Sequence, residues 1–396
     1  MLELMLAFTL LAQDNLEYVG AFRLPNGSFG CVGLNNCFSY GGAALAYNPA
    51  RNSLFIAGHD QQQKIAEISI PSPSTSTTFT SLPQSTVLQS FVDGTEGRLS
   101  QIDTGNVKIG GLLVIDNYLY MSAYSYYDGD ASAQLSHFKR PVNLSTTGQV
   151  VGPVAVGSAG FTSGYMTHIP AGRQAAFGGT ALTGNCCLSV ISRTSYGPAA
   201  FSFNPADIGV ETPPISVTPL VYYSTEHHTL GDWQQQSDYF NNTAAIHGIV
   251  WPENTDSVLF WGKIGIGPFC YGVGTSNLDL IGETAPSGQA YCYDPTNTTT
   301  GGHAYPYVYQ IWAYNAEEMR QAVNPWDVKP YAIWRPVLPF HHWSAELGGV
   351  AYNPATQRLY VVQKYASSFG QGVVYVYKVN AMTGGVPNVP TVLVVK

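Results

Sequence analysis

Few residues of this chain are equipped for chemistry, and they are unevenly placed. Charged residues make up 11% of the 396 positions, with 17 Lys and Arg, 25 Asp and Glu and 9 His. Many of them flank short apolar runs. Lys108 precedes Ile109-Gly110-Gly111, His247 precedes Gly248, and Glu346 precedes Leu347-Gly348-Gly349. His59, Asp60, Tyr124, Lys263 and Lys364 follow such runs. An ammonium can neutralise a substrate carboxylate, an imidazole can take a proton from carbon, and a phenol can return one to a leaving oxygen. Those are the requirements for eliminative cleavage of an acidic polysaccharide, with His247, Lys108, Lys263 and Tyr124 as candidate catalytic groups. The same surface suits plain sugar recognition, in which aromatic rings stack on sugar faces and polar groups bond hydroxyls. His59, Asp60, Tyr126, Tyr127, His342 and Lys364 are then candidate binding residues, and the stretch Tyr124-Ser-Tyr-Tyr-Asp-Gly-Asp130 supplies the rings.

The apolar runs must position these groups, and they repeat. Gly42-Ala-Ala-Leu-Ala-Tyr-Asn-Pro-Ala-Arg-Asn-Ser-Leu-Phe-Ile56 matches Leu347-Gly-Gly-Val-Ala-Tyr-Asn-Pro-Ala-Thr-Gln-Arg-Leu-Tyr-Val361, so Tyr47 pairs with Tyr352, Asn48 with Asn353 and Pro49 with Pro354. Each copy reads as an apolar strand, an Asn-Pro turn that a helix could not tolerate, and a returning strand. Weaker copies run over 109–124, 246–263 and 164–182. Period-two alternation marks third strands at Lys64–Ile70 and Val373–Val379. Short aromatic and β-branched runs precede the last hairpin (Tyr331–Arg335) and the first (Tyr18–Arg23). Outer strand, hairpin and third strand together predict a four-stranded propeller blade.

The fold expected is therefore all-β: a single-domain β-propeller over residues 17–396, closed by an N-terminal strand at 17–24. Five hairpins give about five blades, or six if the 265–304 insertion hides another. Residues 71–104 and 265–304, rich in Ser, Thr, Gly and Pro, are expected as surface loops. Helical period shows only at Ala316–Ala322. In antiparallel hairpins the start of one strand lies beside the end of its partner. Lys108, His247 and Glu346 should thus share one face with His59, Asp60, Tyr124, Lys263 and Lys364, and His341 and His342 should join them. The face with the Asn-Pro turns looks bland, and His168 reads as a core histidine.

One hairpin carries a resemblance. Glu346-Leu-Gly-Gly-Val-Ala-Tyr-Asn-Pro-Ala-Thr-Gln-Arg-Leu-Tyr-Val361 is similar to a strand pair of gluconolactonase and regucalcin relatives, in which a Glu at this place binds a divalent cation. The resemblance implies a metal-dependent hydrolase with Glu346 as a metal ligand, an alternative to the lyase for acting on an acidic glycan. The Asn and Asp partners of that family have no counterpart here, and no other cofactor is implied. Asp128 and Asp130 offer two carboxylates where calcium takes about six to eight oxygens.

Partner classes follow from charge and hydropathy. A net charge of −8 with scattered basic residues excludes a nucleic-acid footprint, and no apolar run reaches the 18 residues that a membrane span needs. The six cysteines fall into local pairs, Cys31 with Cys37, Cys186 with Cys187 and Cys270 with Cys292, which suits disulfides outside the cytosol. Residues 1–16 are an apolar segment, read either as a short secretory signal or as an ordered arm. The partner expected is carbohydrate, and the setting extracellular, either secreted or on a virus particle into which the chain assembles.

Overall fold

A computed structural model describes residues 9–188, 194–367 and 370–380. It is built almost wholly of strands. β1 (Leu16–Arg23) is followed by a first sheet of β2 (Leu45–Asn48), β3 (Ser53–Ala57), β4 (Ile65–Ser69) and β5 (Val87–Val92). The second sheet holds β6 (Val107–Ile115), β7 (Tyr118–Ser125), β8 (His137–Pro141) and β9 (Val151–Val154), and the third β10 (Met166–His168), β11 (Ala181–Thr183), β12 (Ala200–Phe203) and β13 (Thr218–Val221). The fourth begins with β14 (Ala245–Val250) and β15 (Ser257–Gly265). It is interrupted by β16 (Cys270–Thr275), β17 (Tyr291–Tyr293) and β18 (Thr300–His303), and resumes with β19 (Tyr307–Asn315) and β20 (Ala332–Trp334). β21 (Leu347–Asn353), β22 (Arg358–Gln363) and β23 (Val373–Val379) form the fifth, which β1 completes by pairing with β23.

All five hairpins fall where the repeat places them, and β1 does close the last sheet. The first strands of the sheets neighbour one another in a cycle, β2 beside β6, then β10, β14, β21 and β2 again. Apolar side chains fill each of the five junctions between neighbouring sheets. Leu54 and Ile56 meet Val362 and Val374, Leu113 and Tyr120 meet Met166 and Phe203, and Leu182 lies with Phe260 and Trp312. Buried rings and branched chains of this kind stabilise by about 1.5–3 kcal/mol each.

Three expectations are corrected. Tyr331–Arg335 does not belong to the last hairpin: β20 pairs with β19, so it is the edge strand of the fourth sheet. The chain leaves each sheet by its edge and crosses to the first strand of the next, so the strand ahead of a hairpin belongs to the sheet before it. The stretch 71–104 is not only loop, since it contains β5. The insertion 265–304 carries a three-stranded sheet, with β16 parallel to β17 and antiparallel to β18. The three cysteine pairs are disulfide-bonded as their spacing suggests. The helix expected at 316–322 is Ala316–Gln321, capped by the Asn315 side chain on the Glu317 and Glu318 amides, and two four-residue helices, Ala159–Thr162 and Gln174–Phe177, add to it.

Two local features shape the ends of the strands. At the turns, Asn48 Oδ1 accepts from the Ala50 amide (3.2 Å) and Asn353 Oδ1 from the Ala355 amide (3.0 Å), so the asparagine side chain completes the turn that proline starts. A residue with positive φ then turns the chain back: Asn52 at 47°, Asp116 at 52°, Asn254 at 61° and Gln357 at 55°. At the other end β6, β14 and β21 each carry one extra residue against their partner, between Ile109 and Gly111, Ile246 and Gly248, and Leu347 and Val350. Glycine is needed there because first strands meet backbone to backbone. A Cβ on Gly348 would lie 1.9 Å from the Gly42 carbonyl oxygen, and one on Gly111 2.3 Å from that of Gly164.

Candidate functional site

The strand ends opposite the turns surround an open depression of about 1040 Å³. Register brings its groups to one level. Lys108 pairs with Tyr124, Lys263 with Ala245, and the Lys364 amide donates to the Glu346 carbonyl at 3.1 Å. His247 is the extra residue of the β14 bulge, a device that turns a side chain out of the strand's regular alternation. It lines the floor and is 9% exposed.

Electrostatics tie these groups together. Lys108 Nζ donates to Asp60 Oδ2 at 2.6 Å and to the Asp60 carbonyl at 2.9 Å. Lys263 Nζ donates to Glu346 Oε1 and to the Ser344 carbonyl (3.2 Å), and sits 5.2 Å from the Tyr307 ring centre. Burial works to raise the Glu346 pKa, but Lys263 and Lys364 outweigh it and hold the carboxyl below its ordinary value. Burial lowers that of Lys364, with Glu346 and Asp60 opposing and Lys263 and Lys108 adding to the fall. His247 is driven well below the ordinary imidazole value by burial and then by Lys364 and Lys263, which leaves it neutral. Burial raises the phenols of Tyr124, Tyr126 and Tyr365.

Nine of the eleven residues singled out in the sequence line this depression: Asp60, Lys108, Tyr124, Tyr126, His247, Lys263, His342, Glu346 and Lys364. His59 does not line it, but lies edge-on to Tyr40, which does, at 5.6 Å. Tyr127 is 61% exposed and outside it. His341 packs edge-on against Tyr309 at 5.7 Å. His168 is exposed and not in the core: it forms the last pair of β10, opposite Ala181 at the turn end, and lines the pocket there. Asp128 and Asp130 accept the Ser132 amide and so order their loop. Among the described residues no three His, Cys, Asp or Glu side chains gather to hold a metal, and Glu346 is engaged by a lysine.

Several wall residues escaped the sequence reading. Tyr40, Tyr307, Trp343 and Tyr365 line the depression, and Tyr40, Tyr365 and His342 form a run of ring contacts at 5.6 and 5.4 Å. Tyr365 was within reach of the repeat, since it follows Lys364. Tyr307 was not, because the insertion that separates β15 from β19 hides its place beside Lys263. Asp294 fixes that tyrosine by accepting its hydroxyl at 2.6 Å while the buried His303 ring sits 2.9 Å away.

No protein-family model and no curated protein matches the chain. Among solved structures it is similar to a glycosyl hydrolase from Bacteroides ovatus, with a TM-score of 0.41 and 11% identity over 94% of this chain and 93% of that one. It is also similar to the major Malassezia sympodialis allergen Mala s 1, with a TM-score of 0.35 and 11% identity over 88% and 95%. Scores this low carry no argument about function. The likeness of the Glu346 hairpin to gluconolactonase relatives does not extend past that hairpin. What is shown is an all-β chain of repeated four-stranded antiparallel sheets with a polar, aromatic-walled depression where their strand ends converge.

Proposed function

We propose that the chain is a five-bladed β-propeller that binds carbohydrate in the axial depression, outside the cytosol, either free or on a particle surface. The five hairpins, the cyclic order of first strands and the closing role of β1 support the propeller. One observation carries the ligand class: tyrosines and Trp343 wall a depression whose floor bears lysines, carboxylates and a neutral imidazole. Rings offer flat apolar faces to sugar rings, and the floor offers donors and acceptors to hydroxyls. Three disulfides suit an oxidising compartment. The test is a glycan array followed by calorimetry on the retained sugars. Retention that weakens at least tenfold in Tyr365→Ala and in Tyr126→Ala supports this reading, and a wild-type protein that retains no glycan sinks it.

A second reading, an eliminative lyase, is favoured by the placing of neutral His247 beside Lys263 and Lys364. The base would take the proton α to the substrate carboxylate, a carbon–carbon double bond would form, and the β carbon–oxygen bond would break with its electron pair leaving on oxygen, which a tyrosine would protonate. Both proton carriers are tuned against that task, His247 being a weak base and the phenols weak acids. An acidic glycan that is retained without yielding a product absorbing in the near ultraviolet leaves binding as the function.

A further inference from the structure

Charge around the depression does not balance. Three ammonium groups, Lys108, Lys263 and Lys364, stand with two carboxylates, Asp60 and Glu346. Each carboxylate is engaged, Asp60 by Lys108 and Glu346 by Lys263. His247 adds no charge, since burial and the two nearer lysines keep it neutral. Lys364 is left over: among the described residues its ammonium makes no hydrogen bond or ion pair. The surplus is local, because the chain as a whole carries −8.

A partly desolvated ammonium without a counter-ion is unfavourable, and a ligand that brings one negative charge relieves it on binding. Lys364 lines the same depression as both ion pairs and feels all four of their charges, Glu346 and Asp60 favouring its ammonium and Lys263 and Lys108 opposing it. A second negative charge would have to displace a carboxylate from its lysine, so the arrangement favours one charge over two. Tyr365, next in sequence, also lines the depression and adds an aromatic ring to the same wall.

We infer that the depression takes a sugar unit bearing a single acidic group, and that Lys364 receives that group. The inference rests on the carbohydrate reading above and narrows it. A carboxylate and a sulfate ester share the required chemistry, and the experiment separates them.

Calorimetry on the full chain would compare three probes: a uronate-containing oligosaccharide, its carboxyl-reduced neutral counterpart, and the neutral oligosaccharide bearing one sulfate ester. At least one charged probe should bind tenfold or more tighter than the neutral one. That advantage should shrink as salt is raised. In Lys364→Met, which keeps most of the aliphatic stem and loses the charge, the ratio between charged and neutral probes should fall to near one. Glu346→Gln, which releases Lys263, should tighten the charged probe. The salt series on the unsubstituted protein decides the matter even if a variant misfolds. Equal affinity for charged and neutral probes, or a charge preference that survives Lys364→Met, overturns the inference and leaves carbohydrate binding standing. Failure of all three probes and of the array together would remove both.

Discussion

The two ends of the hairpin strands each border a pocket, and the two pockets differ in size and in charge. At the turn end a pocket of about 290 Å³ is lined by Leu45, Leu112, Val114, Met166 and Val350, with Asp116, His168 and Glu253 among its few polar groups, and bordered by Tyr47, Pro49, Tyr352 and Pro354. At the open end the depression is more than three times larger, charged, and different in each sheet, with Tyr124 at the strand exit of the second, Lys263 of the fourth and Lys364 of the fifth. The cause is local. A hairpin turn constrains its residues, since asparagine must cap the turn and a left-handed residue must send the chain back. Strand ends at the other face answer to no such demand. The repeat therefore writes similar residues at one end and leaves the other open to carry a site.

The waist between the ends should be the most sensitive place. Gly348→Val has no room, because even a Cβ would meet the Gly42 carbonyl. We expect a loss of more than about 4 kcal/mol in denaturant unfolding, or no soluble protein. A stable Gly348→Val chain would break the account of how the two ends are held apart.

Removing the insertion's staple comes next. The double change Cys270→Ser with Cys292→Ser should cost about 2–4 kcal/mol in the same measurement, since it frees the loop that carries the Asn297 and Gly302 wall. An unchanged unfolding midpoint would show that β16, β17 and β18 hold without it.

A direct contest between the ends is smaller in energy and sharper in meaning. Tyr365→Ala should weaken glycan binding at least tenfold, about 1.4 kcal/mol, whereas Tyr352→Ala at the turn end should leave it unaltered in calorimetry. The reverse pattern would move the site to the turn end.

Acid should weaken the fold, in a direction set by buried histidines. His137, with one ring nitrogen on Ser136 and the other on Thr183, is pushed down to about 3 by burial, and His247 is shifted the same way. Below the ordinary value of about 6.5 the unfolded chain binds protons that the folded chain refuses. Stability is thus fully present above that pH and is lost as pH falls towards 3. Glu346, held low in the folded state, adds a further loss at the acid end of the range. Unfolding curves between pH 7 and pH 4 should show this fall, flattened in His137→Gln. The mildest change is Pro49→Ala, expected to cost less than about 1 kcal/mol and to leave binding alone.

Much of this was legible from residues in order. The Asn-Pro hairpins, the third strands and the closing role of residues 17–24 follow from alternation and turn chemistry, which are local and survive in any context. So did the gathering of Lys108, His247, Lys263, Glu346 and Lys364, because antiparallel pairing converts sequence position into a face. The edge strands were harder. Val87–Val92 lies past a long polar stretch, and Ala332–Trp334 belongs to the sheet behind it, facts that only the pairing of β5 with β4 and of β20 with β19 decides.

The amino-acid sequence by itself determined the repeating unit and which strand ends share a level, since both depend on side-chain period and on turn residues a few positions apart. Only the tertiary structure decided who is paired with whom across that level. Lys108 meets Asp60 and Lys263 meets Glu346 across separations of 48 and 83 residues, and Lys364 is left over in the same depression. Ion pairing is settled by distance in space and by burial. Neither can be read from the spacing of residues along a chain.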